Sequence, residues 1–203
     1  MKRIECFYSD TILFATGNSN KTSEVRKILG SGFKIIDLVE FGLEIELKEE
    51  EETLEGNAVS KARQAQQLTG LNSCFAEDTG LEVDILNGEP GVRSGRYAGS
   101  NKDSKANIDK LLKKLEGVES RAARFRTVIA YVSGEESKVF EGIVRGRIGH
   151  TPSGRGGFGY DPIFIPEGYS QTFGDLDAEI KNQISHRANA FEKFSRWLQP
   201  KTG

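Results

Sequence analysis

The sequence predicts an α/β protein in which helices flank a mixed β-sheet. A short apolar segment, TILFAT at 11–16, precedes a helical pattern and then a second short apolar segment, which is the order of a parallel strand–helix–strand unit. Two later segments alternate apolar and polar residues, as antiparallel strands do. With 203 residues the chain can bury one substantial core, so we expect a single domain over residues 1–203, with looser tails at 1–10 and 200–203.

The first half of the chain contains two predicted strands and two predicted helices. The strand at 11–16 is followed by a helix that ends near Leu29, and FKIIDL at 33–38 is the next strand. The segment 53–68 predicts a helix on which Asn57 and Lys61, one turn apart, share a face. The apolar face of that helix comprises Leu54, Ala58, Ala62, Ala65 and Leu68.

The second half begins with SCFAED and LEVDIL, which predict strand segments on either side of Thr79 and Gly80. A helix follows at 103–117, with Asp103 as its N-cap. The alternating segments 123–132 and 137–148 predict an antiparallel pair, which makes the sheet mixed. Ser185 caps a final helix that Pro200 closes. The apolar face of this helix comprises Ala188, Phe191, Phe194, Trp197 and Leu198.

Charge and cysteine content exclude several classes of protein. The formal net charge is −2 with acids and bases mixed, which argues against a broad nucleic-acid or membrane surface. Cys6 and Cys74 are too few for a disulfide framework and too far apart for a metal knuckle. The first ten residues lack the apolar core of a signal peptide, and no later stretch predicts a membrane span. We therefore expect a cytoplasmic protein without nucleic-acid or membrane partners.

The loop between the first strand and the first helix has the features of a phosphate site. Gly17 allows a tight turn that points backbone N–H groups and the positive end of the helix at one place, and Lys21 adds a full charge. The glycine spacing fits neither a Walker loop nor a dinucleotide fingerprint. An ordinary strand-to-helix turn with a solvated lysine explains this segment equally well.

Acidic residues supply candidates for a metal site. Glu77 and Asp78 end an apolar strand, where side chains alternate, so at most one of them faces a given cleft. That carboxylate could hold Mg²⁺ or take a proton from water, or it could simply belong to a turn before Thr79 and Gly80. The acidic run at 49–52 is by default a solvated segment, although one member could complete the metal site.

Two further segments could recognise a planar base. The loop GRGGFGYDP carries Phe158 and Tyr160, which either stack on a base or fill the core. His186 and Arg187 open the last helix, close in sequence to Lys181. A lone histidine there is more often a hydrogen-bonding residue than a catalyst. Phosphate donors, a carboxylate, aromatic residues and a basic helix start are together the needs of a nucleoside triphosphate site.

Five motifs in order resemble the Ham1/RdgB family of noncanonical purine nucleoside triphosphate pyrophosphatases. They are FATGNSNKTSEVRKIL, GNAVSKAR, FAEDTGLEVDILNGEPGVRSGRYAG, GGFGYDPIF and ISHRANAF, and they span residues 14–191. The resemblance implies an elongated mixed sheet flanked by helices, two lobes with a substrate cleft, and a homodimer. It also implies Mg²⁺-dependent hydrolysis of ITP, dITP and XTP to the monophosphate and pyrophosphate.

The resemblance also implies roles for individual residues. Asp78 matches the catalytic acid and metal ligand, and Lys21 the catalytic lysine of the triphosphate loop. Glu49 matches the second metal ligand, with Glu50 as the alternative register, and the role of Glu77, where the family often has Asp, stays open. The implied substrate-binding residues are Thr16, Gly17, Asn18, Ser19, Asn20, Lys21, Lys61, Thr79, Phe158, Gly159, Tyr160, Asp161, Lys181, His186 and Arg187.

Three other interpretations remain open at this point. A Maf-like nucleotide pyrophosphatase would have a related architecture with a different substrate preference, and a nucleotide-binding module without catalysis would use the same loops. The presence of both Asp78 and Lys21 argues against the binding module. A structural or interaction protein ranks last, because it would not need five polar, glycine-rich loops in this order.

Overall fold

Six strands form one mixed sheet in the computed structural model, which describes residues 11–199. In the order β2-β1-β3-β4-β5-β6, β1 is parallel to both of its neighbours, and all later pairs are antiparallel. The predicted α/β fold class with a mixed sheet is therefore confirmed. The strands are β1 (Thr11–Phe14), β2 (Lys34–Asp37), β3 (Ser73–Val83), β4 (Ala122–Ser133), β5 (Glu136–Ile148) and β6 (Phe164–Pro166).

Helices flank the sheet, and their caps follow from local sequence. Asp103 accepts hydrogen bonds from the Lys105 and Ala106 N–H groups, and Ser185 accepts one from Ala188, as predicted. Two short helices and β6 were not predicted, and β3 is one continuous strand rather than two segments. The helices are α1 (Ser19–Leu29), α2 (Leu38–Phe41), α3 (Leu54–Thr69), α4 (Ser104–Lys114), α5 (Ala178–Ile184) and α6 (His186–Leu198).

The core lies on both faces of the long strands. Val128 and Ala130 of β4 pack in one cluster with Leu54 of α3, whereas Ile129 between them packs with Phe191 of α6. Because side chains alternate along a strand, α3 and α6 cover opposite faces of the sheet. The protein is thus layered as helix, sheet and helix through this region.

Two residues on the predicted apolar faces of the helices are exposed. Leu68 is 54% exposed, because it lies in the last turn of α3, beyond the final buried residue Ala65. Trp197 is 40% exposed, because its ring covers Tyr131 and Phe140 at the surface, with ring centroids 5.2 and 5.4 Å away. The predictions for the tails at 1–10 and 200–203, including Cys6 and Pro200, lie outside the described residues. Within 11–199, no helix is both long and apolar enough to cross a bilayer.

Unequal strand lengths create the site. β1 ends at Phe14, which pairs with Phe75, whereas β3 continues for eight more residues to Val83. Glu77 and Asp78 therefore lie where β1 has already turned into the loop before α1. Further along β3, a Cβ on Gly80 would lie 2.6 Å from the Gly91 carbonyl oxygen, so only glycine allows the following loop to cross so closely.

Candidate active site

A continuous cleft runs beside the part of β3 that extends past the end of β1. It consists of two adjoining cavities of about 240 and 670 Å³, which share Asn18, Lys21, Glu49 and Lys102 in their linings. The larger cavity contains the loop at 16–19, and the smaller contains the loop at 158–161. Both Lys21 and Asp78 line the smaller cavity, so the cationic loop and the candidate catalytic carboxylate meet in one space.

The loop before α1 is fixed by its own side chains. Asn18 is the N-cap, and its Oδ1 accepts hydrogen bonds from the N–H groups of Asn20 (3.0 Å) and Lys21 (3.3 Å). Thr16 Oγ1 accepts one from Asn18 N–H at 3.1 Å. Thr16, Gly17, Asn18, Ser19 and Lys21 line the cleft, whereas Asn20 lines neither cavity. The side-chain oxygen of Asn18 is therefore used in capping α1, and its side-chain NH₂ group remains available to a ligand.

Asp78, Lys61 and Glu49 form a tight charged group at the centre of the cleft. Lys61 Nζ lies 2.9 Å from Asp78 Oδ1 and 2.8 Å from Glu49 Oε1. Asn57, one turn before Lys61 on α3, donates a hydrogen bond to Asp78 Oδ2 at 3.1 Å. The shared face of Asn57 and Lys61 that the helical spacing predicted is thus the face that holds Asp78. Glu50, the alternative register for Glu49, is exposed and lines neither cavity.

Lys61 and Glu49 each favour the charged form of the other. Burial acts to lower the pKa of Lys61, but Asp78 and Glu49 outweigh it and raise the pKa above its usual value. Burial likewise acts to raise the pKa of Glu49, but Lys61 outweighs it and the pKa is lowered. Lys61 is therefore protonated and Glu49 ionised at neutral pH.

Glu77 occupies the opposite face of β3 and organises a second set of charges. Arg187 Nε and Nη2 donate to its two oxygens at 2.9 and 2.8 Å, and Lys21 Nζ lies 3.1 Å from Oε1. Glu24 of α1 contacts both Arg187 (2.5 Å) and Lys181 (2.7 Å). Glu77 and Asp78 thus face different partners, as the strand alternation predicts. Both nevertheless line the cleft, Asp78 in the smaller cavity and Glu77 in the larger, so the expectation that at most one of them faces it is wrong. These contacts link Lys21 in the loop before α1 to Arg187 and Lys181, which line the smaller cavity at the far end of the cleft.

The glycine-rich loop is held at the other end of that network. Asp161 accepts hydrogen bonds from the Phe158 N–H at 2.7 Å and from Lys181 Nζ at 2.8 Å. Gly157 has φ +73°, and a Cβ there would lie 2.2 Å from Asp161 Oδ2, so glycine is required. The Lys181 ammonium and the Arg187 guanidinium lie 5.1 and 5.4 Å from the centre of the Phe158 ring. Gly159 and Tyr160 also line the smaller cavity.

His186 carries an unused hydrogen-bonding atom. Its ring is buried in the wall of the smaller cavity and stacks on Phe125, with centroids 4.6 Å apart. Nδ1 is buried and has no hydrogen-bond partner within residues 11–199. Burial, together with the charges of Arg187 and Lys181, lowers the pKa of His186 well below its usual value, so the ring is neutral at pH 7. An unpaired polar atom in a cavity wall is a place for a ligand group.

The residues present fit a divalent metal. No group of three His, Cys, Asp or Glu side chains suited to a metal occurs within 11–199, but Mg²⁺ commonly takes only one or two protein carboxylates together with water and substrate phosphate oxygens. Asp78 and Glu49 converge on one ammonium group and line the same cavity. Each carboxylate oxygen keeps a second lone pair beyond its present contact.

The family assignment rests on nearly the whole chain. The model of the Ham1 family matches residues 12–197. The chain belongs to the Ham1 family. A dITP/XTP pyrophosphatase of Flavobacterium johnsoniae is 45% identical over 183 residues, which is 90% of this chain and 95% of the relative. One of Bacillus subtilis is 44% identical over 191 residues, or 92% of this chain and 96% of the relative.

Solved Ham1 structures have the same fold. The Ham1 protein of Staphylococcus aureus matches with a TM-score of 0.82 and 40% identity over 93% of this chain and 97% of its own. A Ham1 protein of Coxiella burnetii matches with a TM-score of 0.83 and 38% identity over 93% of this chain and 98% of its own. The family match and the solved Ham1 structures therefore both support the expected α/β fold with a mixed sheet.

Sequence reasoning missed several residues of the cleft in this Ham1 family member. Glu24, Arg96 and Lys102 were not singled out, and Asn57 was noted only for its helical face. Arg96 donates to the Glu49 carbonyl oxygen at 2.8 Å. Thr79 Oγ1, a predicted substrate contact, is paired with Thr127 Oγ1 at 2.7 Å and lines the cavity. Only the one-turn spacing of Asn57 and Lys61 offered a local indication.

Proposed function

We propose that the chain hydrolyses dITP, XTP and ITP to the nucleoside monophosphate and pyrophosphate, and so removes deaminated purines from the nucleotide pool. The names of the relatives support this activity, since those at 44–45% identity are dITP/XTP pyrophosphatases. The observation that carries the proposal is the common cavity of Lys21 and Asp78. A phosphate tail needs cations and N–H donors, which Lys21 and the loop at 16–19 supply at one end of the cleft. A planar base needs aromatic surface, which the loop at 158–161 supplies at the other end.

Mg²⁺ is the proposed cofactor, with Asp78 and Glu49 as its protein ligands. The larger cavity is lined by three lysines and four glutamates, so its own side chains do not neutralise a polyanion. When bound, the ion would neutralise phosphate oxygens and make the phosphorus more electrophilic. Lys61 holds the two carboxylates together and favours the ionised form of Glu49, which is the form that binds a cation.

Hydrolysis breaks the bond between the α-phosphorus and the oxygen that bridges it to the β-phosphate. In this proposal Asp78 orients a water molecule and takes its proton, while the hydrogen bond from Asn57 fixes the carboxylate. Negative charge grows on the bridging oxygen as pyrophosphate leaves. Lys21 and Lys61 are positioned beforehand, so they stabilise this charge more in the transition state than in the ground state.

We propose that the base is selected by hydrogen-bonding groups of Arg187 and His186 that have no partner in the described part of the chain and that line the smaller cavity. Hypoxanthine and xanthine carry a keto oxygen at position 6, where adenine carries an amino group. Arg187 uses three of its five N–H groups on Glu77 and Glu24, which leaves donors for a keto oxygen. His186 Nδ1 offers a further edge contact. A site built to pair one polar group rejects a base that lacks it by several orders of magnitude.

We also propose a cytoplasmic homodimer, on the basis of the sequence resemblance. The chain has only two cysteines, too few for a disulfide framework, which supports a reducing compartment. Light scattering at micromolar concentration tests the assembly, with a mass of twice 22.4 kDa expected and the mass of one chain contradicting it.

Pyrophosphate release over a panel of triphosphates tests the proposed function. ITP, dITP and XTP should be hydrolysed with Mg²⁺, at kcat/KM values at least about 100-fold above that for ATP, which lacks the keto oxygen. EDTA should abolish the reaction. Release of orthophosphate instead of pyrophosphate, or equal rates on ATP and ITP, would contradict the proposal.

A further inference from the structure

Lys102 lies at the junction of the two cavities in the cleft and has no role in the site described so far. It is one of four residues that line both cavities. Its ammonium pairs with Glu46, which lines the larger cavity from the loop before α3. The pair therefore spans the cleft between two separate loops.

The backbone holds Lys102 at this place. Lys102 has φ +52°, a left-handed conformation that non-glycine residues rarely adopt. The loop is anchored on both sides, because the Ala98 N–H donates to Asn107 Oδ1 at 2.6 Å and Asp103 caps α4. Uncommon backbone conformations persist where the surrounding structure fixes them, and they occur often at functional sites.

The three ammonium groups of the larger cavity differ in how firmly they are paired. Lys61 is buried between Asp78 and Glu49, and Lys21 contacts Glu77, which is fully buried. The side chains of Lys102 and Glu46 are instead 43% and 71% exposed. An exposed ion pair contributes little net stability, so Lys102 can exchange its partner at low cost.

We propose that Lys102 binds the phosphate tail of the substrate by exchanging Glu46 for phosphate oxygens. This inference rests on the proposed function of the cleft. A phosphate tail carries several negative charges, whereas Glu46 carries one, so the tail is the stronger partner for the ammonium. Glu46 then acts as a competitor that occupies Lys102 while the cleft is empty.

The charge at position 102 is tested with Lys102→Met, which keeps the stem and removes the ammonium. We expect KM for ITP to rise about 3- to 10-fold, with the loss falling mainly on KM rather than kcat, and Lys102→Arg to restore most of the affinity. Lys105→Met is the matched control, because Lys105 is exposed on the first turn of α4 and lines neither cavity. It should leave KM unchanged. An unchanged KM in Lys102→Met would overturn the proposal.

Glu46→Gln separates phosphate binding from a purely structural latch. If Glu46 competes with phosphate, its loss lowers KM or leaves it unchanged. If the pair only closes the cleft, Glu46→Gln raises KM as Lys102→Met does, which would overturn the proposal.

Calorimetric titration with inorganic tripolyphosphate and Mg²⁺ requires no turnover, and we expect weaker binding to Lys102→Met than to the wild type. Wild-type binding of tripolyphosphate without hydrolysis of any nucleotide would count against the proposed function alone. Normal hydrolysis with equal tripolyphosphate binding by wild type and Lys102→Met would count against Lys102 alone.

Discussion

Glu77→Gln should destabilise the fold strongly, although the two side chains have nearly the same shape. Both oxygens of the buried Glu77 carboxylate accept hydrogen bonds from Arg187, and Lys21 is a further partner. The substitution leaves the buried Arg187 guanidinium with the Glu24 contact and without its bidentate partner. The loss of folding stability is determined mainly by the buried Arg187 charge that remains without its partner, rather than by the lost contact itself.

The size of the effect follows from that remaining charge. Removing one member of a buried ion pair costs roughly 3–5 kcal/mol, and because Glu24 still contacts Arg187 we expect the lower end, about 3 kcal/mol. For a chain of 203 residues this corresponds to a melting temperature lower by about 6–12 °C. Urea denaturation at pH 7, followed by circular dichroism, measures the difference.

The stability difference between wild type and Glu77→Gln should also depend on pH. Burial acts to raise the pKa of Glu77, but Arg187 and Lys21 outweigh it and hold the pKa well below its usual value. The ionised carboxylate therefore contributes its full stabilisation above about pH 5, and that contribution is lost as the pH falls below about 4.3. The stability gap between wild type and Glu77→Gln should shrink by up to about 1.4 kcal/mol per pH unit in that range.

Glu82→Gln is the matched control on the same strand. Glu82 contacts Arg124 at 2.6 Å, but the Arg124 side chain is 38% exposed and its guanidinium stays in contact with solvent when the carboxylate is removed, so about 1 kcal/mol or less should be lost. Equal losses in Glu77→Gln and Glu82→Gln, or a Glu77→Gln gap that does not change between pH 7 and pH 3.5, would refute the reasoning.

Three further substitutions test other parts of the site. Asp78→Asn should lower kcat for ITP at least about 100-fold, because an amide takes no proton from water, and a wild-type rate of pyrophosphate release would contradict this role. Glu49→Gln should raise the Mg²⁺ concentration needed for half-maximal rate about 10-fold or more, and an unchanged Mg²⁺ titration would count against Glu49 as a ligand. Gly157→Ala should cost about 1–3 kcal/mol of stability in urea, more than Gly159→Ala, whose Cβ meets no atom within 4 Å.

Local sequence predicted those parts of the molecule that local chemistry determines. The caps Asp103 and Ser185 form because their side chains reach N–H groups two or three residues away. The alternation of Glu77 and Asp78 and the shared face of Asn57 and Lys61 follow from strand and helix periods. Each of these needs only neighbouring residues, and each is present in the structure.

Long-range contacts were beyond the reach of sequence patterns. Glu24 contacts Lys181 across 157 positions, and no spacing rule connects them. Thr79 and Gly80 suggested a break in β3, but the strand continues because Gly80 accommodates the close approach of Gly91. Leu68 fits the apolar period of α3 yet is exposed, because periodicity does not tell where the sheet beneath a helix ends.

The resemblance supplied what periodicity could not, by bringing distant motifs together as one site. It favoured Glu49 over Glu50, and Glu49 is the one that contacts Lys61 beside Asp78. It left Glu77 without a role, which the contacts with Arg187 and Lys21 now provide. Asn20 was placed in the substrate loop by the resemblance, but it lines neither cavity.

A crystal structure of Asp78→Asn with ITP and Mg²⁺ tests the account most directly. We predict the triphosphate between Lys21 and Lys61, next to position 78, and the base against Phe158 and His186. ITP bound away from this cleft, or in the reverse orientation with its base at the loop before α1, would contradict the account.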